Sequence, residues 1–200
     1  MPDSAHVTPL DGRVARSHRT RAAIVEALVS LLEAGNVQPT IEEIAARASV
    51  APRTVFQHYA DREALFAAVT AHREVHLATL MGEVPADGPL EERLTAVVEQ
   101  RARVFEWITP VRRAALLMEP FSENIHAALG AFRALKRDEL ARVFAEEVAA
   151  LPEAERAARA GALGAAGSFS YWDALRTQQG LDADAATAAL RCTLCGLLSV

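Results

Sequence analysis

Between Thr40 and Tyr59 the chain spells out two short helices separated by a three-residue turn, and few folds accommodate that spacing. Thr40-Ile41-Glu42-Glu43 has the pattern of a capping box. The threonine oxygen takes the Glu43 amide and the glutamate carboxylate returns to the Thr40 amide, so a helix is predicted from Thr40 to about Ala48. Ser49-Val50-Ala51 forms the turn. Pro52, with its fixed φ and missing amide donor, suits the first turn of a second helix, expected over 52–59. Ile41, Ile44, Ala45, Val50, Val55 and Tyr59 make an inward set that holds the two helices at a steep angle, leaving Arg53, Thr54, Gln57 and His58 outside. This is a helix-turn-helix, and its second helix carries base-edge chemistry. Arginine can make a bidentate contact to guanine, threonine can touch bases or the thymine methyl, and glutamine can read adenine. The amides at the helix starts near Thr40 and Arg62 offer two seats for phosphate.

The rest of the chain is predicted to be helical throughout. Period-2 alternation is absent, as are Asn-Gly and Asp-Gly hairpin turns, and Ala, Leu, Glu and Arg dominate. About nine helices are expected, at 17–34, 40–48, 52–59, 62–81, 90–107, 110–118, 122–149, 153–178 and 183–199. They are punctuated by Gly35, the linker 82–89, Pro110, Pro120, Pro152 and Gly180. The expected division is a helix-turn-helix domain with a basic arm over 1–65, followed by a helical ligand-binding and dimerisation bundle over 66–200. Gly161, Gly164 and Gly167 recur every third residue, each costing about 1 kcal/mol against alanine inside a helix, so close approach of another helix is expected there.

A net charge of −5 argues against nucleic acid only until its distribution is examined. Residues 1–70 hold seven Arg against eight Asp plus Glu, a net of −1, yet Arg13, Arg16, Arg19, Arg21 and His18 cluster between Gly12 and Val25 without an acid. The cluster reads either as a phosphate-contacting arm or as a solvated basic tail. No apolar run approaches the ~20 residues of a membrane span, and the stretch from Met1 to Gly12 lacks the apolar block of a signal peptide. A cytoplasmic protein without membrane partners is expected. Cys192 and Cys195 are too few for a disulfide scaffold and read as reduced packing residues.

From Arg13 to Leu65 the sequence resembles the TetR family of bacterial repressors. The likeness rests on Thr20-Arg21, the Gly35 stop, Pro39-Thr40-Ile41-Glu42-Glu43-Ile44-Ala45, Val50-Ala51-Pro52-Arg53-Thr54, Val55-Phe56-Gln57-His58-Tyr59 and Asp61-Arg62-Glu63-Ala64-Leu65. The resemblance implies that Thr40 and His58 contact phosphate, that Arg62 takes the place of a phosphate-binding lysine, and that Arg53, Thr54 and Gln57 face the bases. Read as an arm, the basic cluster brings Arg16 to phosphate as well. Phe56 stands where the family often has tyrosine, which removes a phenolic bond to phosphate. Tyr59 stands where phenylalanine is common, so it should pack inward with its hydroxyl seeking a partner.

The implied partners are double-stranded operator DNA, a second copy of the chain, and a small hydrophobic or amphipathic ligand that releases the repressor. Phe105, Trp107, Met118, Phe121, Phe132, Phe144, Phe169 and Trp172 are the candidate pocket residues, with core packing as the plain alternative for each. Leu163, Leu175, Leu190, Leu194 and Leu197, with Gly164, Gly167, Ala189 and Gly196, are the candidate dimer contacts. No catalytic residue, cofactor or metal site is expected. The run from Gly161 through Gly164 to Gly167 lacks dinucleotide spacing and a preceding strand. His72 and His76 lie one turn apart and His126 could approach them, but no His-Glu-x-x-His motif is present and a solvated or hydrogen-bonded pair is the plain alternative. The alternative function is a helical small-molecule or partner-binding protein that does not bind DNA.

Overall fold

The computed structural model describes residues 9–198 and is helical wherever it is ordered into elements. The readings of the first residues as lacking a signal peptide and of a helix end at 199 lie outside the described residues. Ten helices run α1 Pro9–Glu33, α2 Ile41–Arg47, α3 Pro52–His58, α4 Arg62–Met81, α5 Leu90–Met118, α6 Glu123–Val143, α7 Ala145–Ala150, α8 Glu153–Ala166, α9 Phe169–Thr177 and α10 Ala183–Leu198. A 3-10 turn, Glu119–Phe121, links α5 to α6. None of the described helices is long and apolar enough to cross a membrane.

The chain divides into two compact units. The N-terminal unit runs to Glu74 and includes Pro110–Leu117, and the other holds Val75–Thr109 and everything from Met118. The first unit extends past residue 65 because Leu65, Phe66 and Val69 on the opening turns of α4 are buried in it. They join Ile24, Leu28, Leu32, Ile44, Ala45, Val55 and Tyr59 in its core. His72 bonds Glu26 at 2.8 Å and Arg73 bonds Glu33 at 3.0 Å, tying α4 to α1.

Helix α1 begins at Pro9 rather than at Ser17, so the basic arm is an extension of the helix. Residues 12–19 are all exposed, and nothing in their sequence stops a helix. Its end follows expectation. The Gly35 amide bonds the Leu32 carbonyl at 3.0 Å and the Asn36 amide bonds Leu31 at 3.0 Å. Gly35 sits at φ +89°, closing a Schellman cap in the left-handed conformation that glycine enters without strain.

Beyond α4 three boundaries differ from the sequence reading. Helix α5 passes through Pro110 without stopping. The packing of Ile108 before the proline and Ala114 after it outweighs the lost amide bond. The Thr109 hydroxyl, one residue before the proline, donates to the Phe105 carbonyl at 2.6 Å. The predicted helix 122–149 breaks at Phe144, whose ring is fully buried, and the predicted 153–178 helix breaks at Gly167–Ser168. A Cβ at Gly167 would lie 2.4 Å from Leu140 Cδ1, so here glycine permits the close approach of α6. Gly164 also faces α6, 3.5 Å from Arg137 Cγ, whereas Gly161 faces open space. Ser168 then caps α9, accepting from the Tyr171 amide at 3.2 Å.

Candidate nucleic-acid interface

The site begins with a two-way cap. The Thr40 amide donates to Glu43 Oε2 at 2.7 Å and the Glu43 amide donates to Thr40 Oγ1 at 3.2 Å, so α2 starts where the capping box requires. The Thr40 amide, and then the Asn36 side chain that bonds it at 3.3 Å, hold the Glu43 carboxyl below the ordinary value. Helix α2 ends in a second Schellman cap: the Ser49 amide bonds Ala46 at 3.2 Å and the Val50 amide bonds Ala45 at 2.9 Å. Ser49 occupies the left-handed position at φ 56°, where glycine is usual. This cap makes the sharp reversal that delivers α3.

Helix α3 has one fully buried side chain, Val55. At about 100° per residue, Arg53 and Gln57 project on the side opposite Val55, while Thr54 and Phe56 lie on the two flanks. Arg53 and Gln57 are exposed, Thr54 and His58 are half-buried, and Phe56 is 59% exposed. The helix therefore offers one long cation, one amide, one hydroxyl and one bare aromatic ring.

Two tethers orient this helix pair. Tyr59 packs inward with 4% of its surface exposed, and its hydroxyl donates to the Arg21 carbonyl at 3.2 Å while the Arg21 guanidinium stands 5.2 Å over the ring. Arg62 donates to the Pro39 carbonyl at 2.6 Å, which places its cation beside the start of α2. The inward Tyr59 and its need for a hydroxyl partner follow from the sequence, whereas the bond from Arg62 to Pro39 does not. The signal for the second was only the short interval between Asp61-Arg62 and the α3 end. Arg16 and Thr40 are exposed, so Arg16, Thr40, Arg53, Thr54, Gln57, His58 and Arg62 all lie in the N-terminal unit. The phosphate seats are narrower than expected. Thr40 already occupies the Glu43 amide, and Asp61 Oδ1 accepts the Ala64 amide at 2.7 Å at the start of α4.

The eight candidate pocket residues do not converge. Phe105, Phe144, Phe169 and Trp172 are buried, with Phe105 edge-on to Phe169 at 5.8 Å and 6.4 Å from Trp172. Trp172 also donates to Glu106 Oε1 at 3.0 Å. Trp107 is half-buried and lies 4.8 Å from His76, Met118 and Phe132 are half-buried, and Phe121 is 89% exposed. A groove of about 420 Å³ opens instead between α6, α7 and α8, where Leu140, Ala141, Val148 and Leu163 meet Arg137 and Arg156. His72 and His76 go to separate partners, and no cluster of three metal-ligating side chains occurs among the described residues.

The leucines named as dimer contacts need correction. Leu163, Leu175, Leu190 and Leu194 are buried within their own unit because the apolar stripes of α8, α9 and α10 face one another. The outward face of α10 holds Asp184, Ala185, Ala188, Cys192, Cys195 and Gly196, all exposed, so one acid at its start is followed by small uncharged residues.

Sequence reasoning also missed a buried polar network in the second unit. Arg101 is fully buried and donates to Gly167 O at 3.1 Å, Gln100 Oε1 at 2.6 Å, Lys136 O at 2.9 Å and Glu139 Oε2. Gln100 Nε2 donates to Glu139 Oε1 at 2.9 Å and to the Met81 carbonyl at the end of α4. Burial pushes the Glu139 carboxyl up, but Arg101, Gln100 and Lys136 outweigh it and hold the group below the ordinary value.

Residues 24–69 match the family model for bacterial regulatory proteins of the tetR family. No curated protein matches the sequence. Among solved structures the fold is similar to a transcriptional regulator from Rhodococcus sp. Rha1, with TM-score 0.64 and 19% identity over 91% of this chain and 95% of that one. It is also similar to a TetR-like transcriptional regulator from Rhodococcus sp. RHA1, with TM-score 0.54 and 19% identity over 92% and 97% of the two chains. A candidate transcriptional regulator from Pseudomonas aeruginosa PAO1 gives TM-score 0.58 and 22% identity over 89% of each.

Proposed function

From the premise that this chain belongs to the TetR family, carried by residues 24–69, we propose that it is a repressor that binds operator DNA and is released by a small molecule. The observation that carries the DNA half is α3, which buries Val55 and turns Arg53, Gln57, Thr54 and Phe56 outward. In this reading Arg53 and Gln57 address base edges from the major groove, Thr54 supports them, and Thr40, His58, Arg62 and Arg16 contact phosphates. The Pro39 tether fits Arg62 to that task, because it holds the cation in place before DNA arrives.

The protein works as a cytoplasmic homodimer. The small exposed residues Ala188, Cys192, Cys195 and Gly196 on α10 support pairing with a second copy, since small residues let two helices approach closely. A two-fold dimer places its recognition helices about 34–36 Å apart, one turn of DNA. Release follows when a hydrophobic or amphipathic ligand in the C-terminal unit moves α4, a single helix from Arg62 to Met81. Its last carbonyl is bonded by Gln100 and its first turn by the cap of Asp61. The ligand must bind the DNA-incompetent state more tightly, with couplings typically about 1–3 kcal/mol, and operator must weaken ligand binding by the same factor.

Selection of binding sites from a randomised duplex pool by the full-length protein tests the DNA half. Enrichment of an inverted repeat, with affinity falling steeply as salt rises, is the expected result. Failure to enrich any sequence refutes the proposal and favours the alternative of a helical ligand-binding protein that does not contact DNA.

A further inference from the structure

The ring of Phe56 is 59% exposed in a helix whose neighbouring residue, Val55, is fully buried. It lies on one flank of the outward face of α3, with Arg53 and Gln57 beside it and Thr54 on the opposite flank. Phe56 has no donor or acceptor. Resting it on phosphate oxygens would strip water from charged groups and return no hydrogen bond. The major groove has one apolar feature for such a ring, the C5-methyl of thymine, and cytosine carries a hydrogen in its place. That methyl lies on the side of the base nearest its own backbone, where a residue on the flank of a helix in the groove reaches, while Arg53 and Gln57 point toward the groove floor.

We propose that Phe56 is a specificity-determining residue that selects thymine at one position of each half-site by covering its methyl group. The inference rests on the DNA-binding reading above and adds to it a base, an atom and a residue. It also assigns the polar contacts elsewhere: Arg53 and Gln57 read hydrogen-bonding edges, and Phe56 separates thymine from cytosine at a position that carries no direct hydrogen bond.

The test replaces each thymine of the selected operator in turn by deoxyuracil, which removes the methyl and keeps the hydrogen-bonding edge. Affinities of the full-length protein and of Phe56→Ala and Phe56→Leu are then measured by fluorescence anisotropy. In the wild type, one thymine per half-site is expected to lose about three- to five-fold on conversion to deoxyuracil. Phe56→Ala should lose a similar factor on the thymine operator and be indifferent to the methyl, and Phe56→Leu should retain part of the sensitivity. Circular dichroism of both variants shows whether the fold is kept, which the exposure of the ring predicts. A pool that enriches no sequence overturns this inference together with the DNA-binding reading. An enriched operator with no methyl-sensitive thymine, or one whose sensitivity is unchanged in Phe56→Ala, overturns the inference about Phe56 and leaves DNA binding standing.

Discussion

Lys136 is held inside the C-terminal unit with too few anions around it, and replacing it is expected to stabilise the protein. Its ammonium donates to Gln100 Oε1 at 2.7 Å and to Glu139 Oε2 at 3.1 Å, the two acceptors that Arg101 also uses. Two buried cations therefore share one carboxylate. Burial, and after it the neighbouring Arg101, push Lys136 from the ordinary 10.5 to about 8. The folded state thus gives up this proton at lower pH than the unfolded chain does. Between about pH 8 and 10.5 the unfolded chain binds more protons, so stability rises with pH through that window. A lowering from 10.5 to about 8 corresponds to about 3 kcal/mol of penalty when the ammonium is charged.

Lys136→Met keeps most of the aliphatic stem and removes the charge. It strands no acceptor: Gln100 Oε1 retains Arg101 at 2.6 Å, and Glu139 retains Arg101 and Gln100. A gain of about 1–3 kcal/mol at pH 7 is expected, with a flatter stability profile from pH 8 to 10. Urea midpoints followed by circular dichroism at half-unit steps between pH 7 and 10 measure both. A wild-type midpoint that falls or stays level across pH 8–10, or a Lys136→Met protein that is less stable at pH 7, would refute the reasoning.

Thr40→Ala removes the Glu43 cap and is expected to cost about 1 kcal/mol by thermal unfolding. Because Glu43 is held below its ordinary value, its contribution is present above the unfolded carboxyl range and lost as pH falls through the folded value, so the wild-type advantage over Glu43→Gln should shrink in acid. Ser49→Gly relieves a left-handed serine at φ 56° and should raise stability by up to about 1 kcal/mol; a lower melting temperature would count against the cap geometry. Gly167→Ala drives a methyl into Leu140 and should destabilise by about 1–3 kcal/mol in the same assay. On operator variants, Arg53→Ala should cost about 1–3 kcal/mol at a single base pair, whereas Arg16→Ala and Arg62→Ala should weaken all sequences alike and lower the salt slope.

Signals that act across three or four residues were legible in the chain itself. The Thr40–Glu43 capping box, Pro52 at the start of α3 and the Gly35 stop each depend on atoms one helical turn away, and the structure places all three where the spacing puts them. The outward set of α3 followed from the same local periodicity, with Val55 inside. What these residues do on DNA rests on their chemistry and on the proposal above.

Tertiary structure decided the elements whose causes lie far along the chain. Helix α5 continues through Pro110, with buried residues on both sides of it. Phe144 breaks a strongly helical run in order to bury its ring. Gly167 marks a helix break and not merely a close approach, because its carbonyl is bonded by Arg101, 66 residues away, while Leu140 fills the space a Cβ would need. Arg101 itself reads in sequence as one of several charges, between Glu99 and Arg103, with nothing to mark it as the buried one. Its partners Glu139 and Lys136 lie on α6 and Gly167 lies between α8 and α9, and no periodicity encodes that meeting. A cap needs only its own helix turn, so the amino-acid order specifies it; a buried charge or a helix break depends on which distant side chains the fold brings within a few ångströms, and the order of residues alone does not specify that.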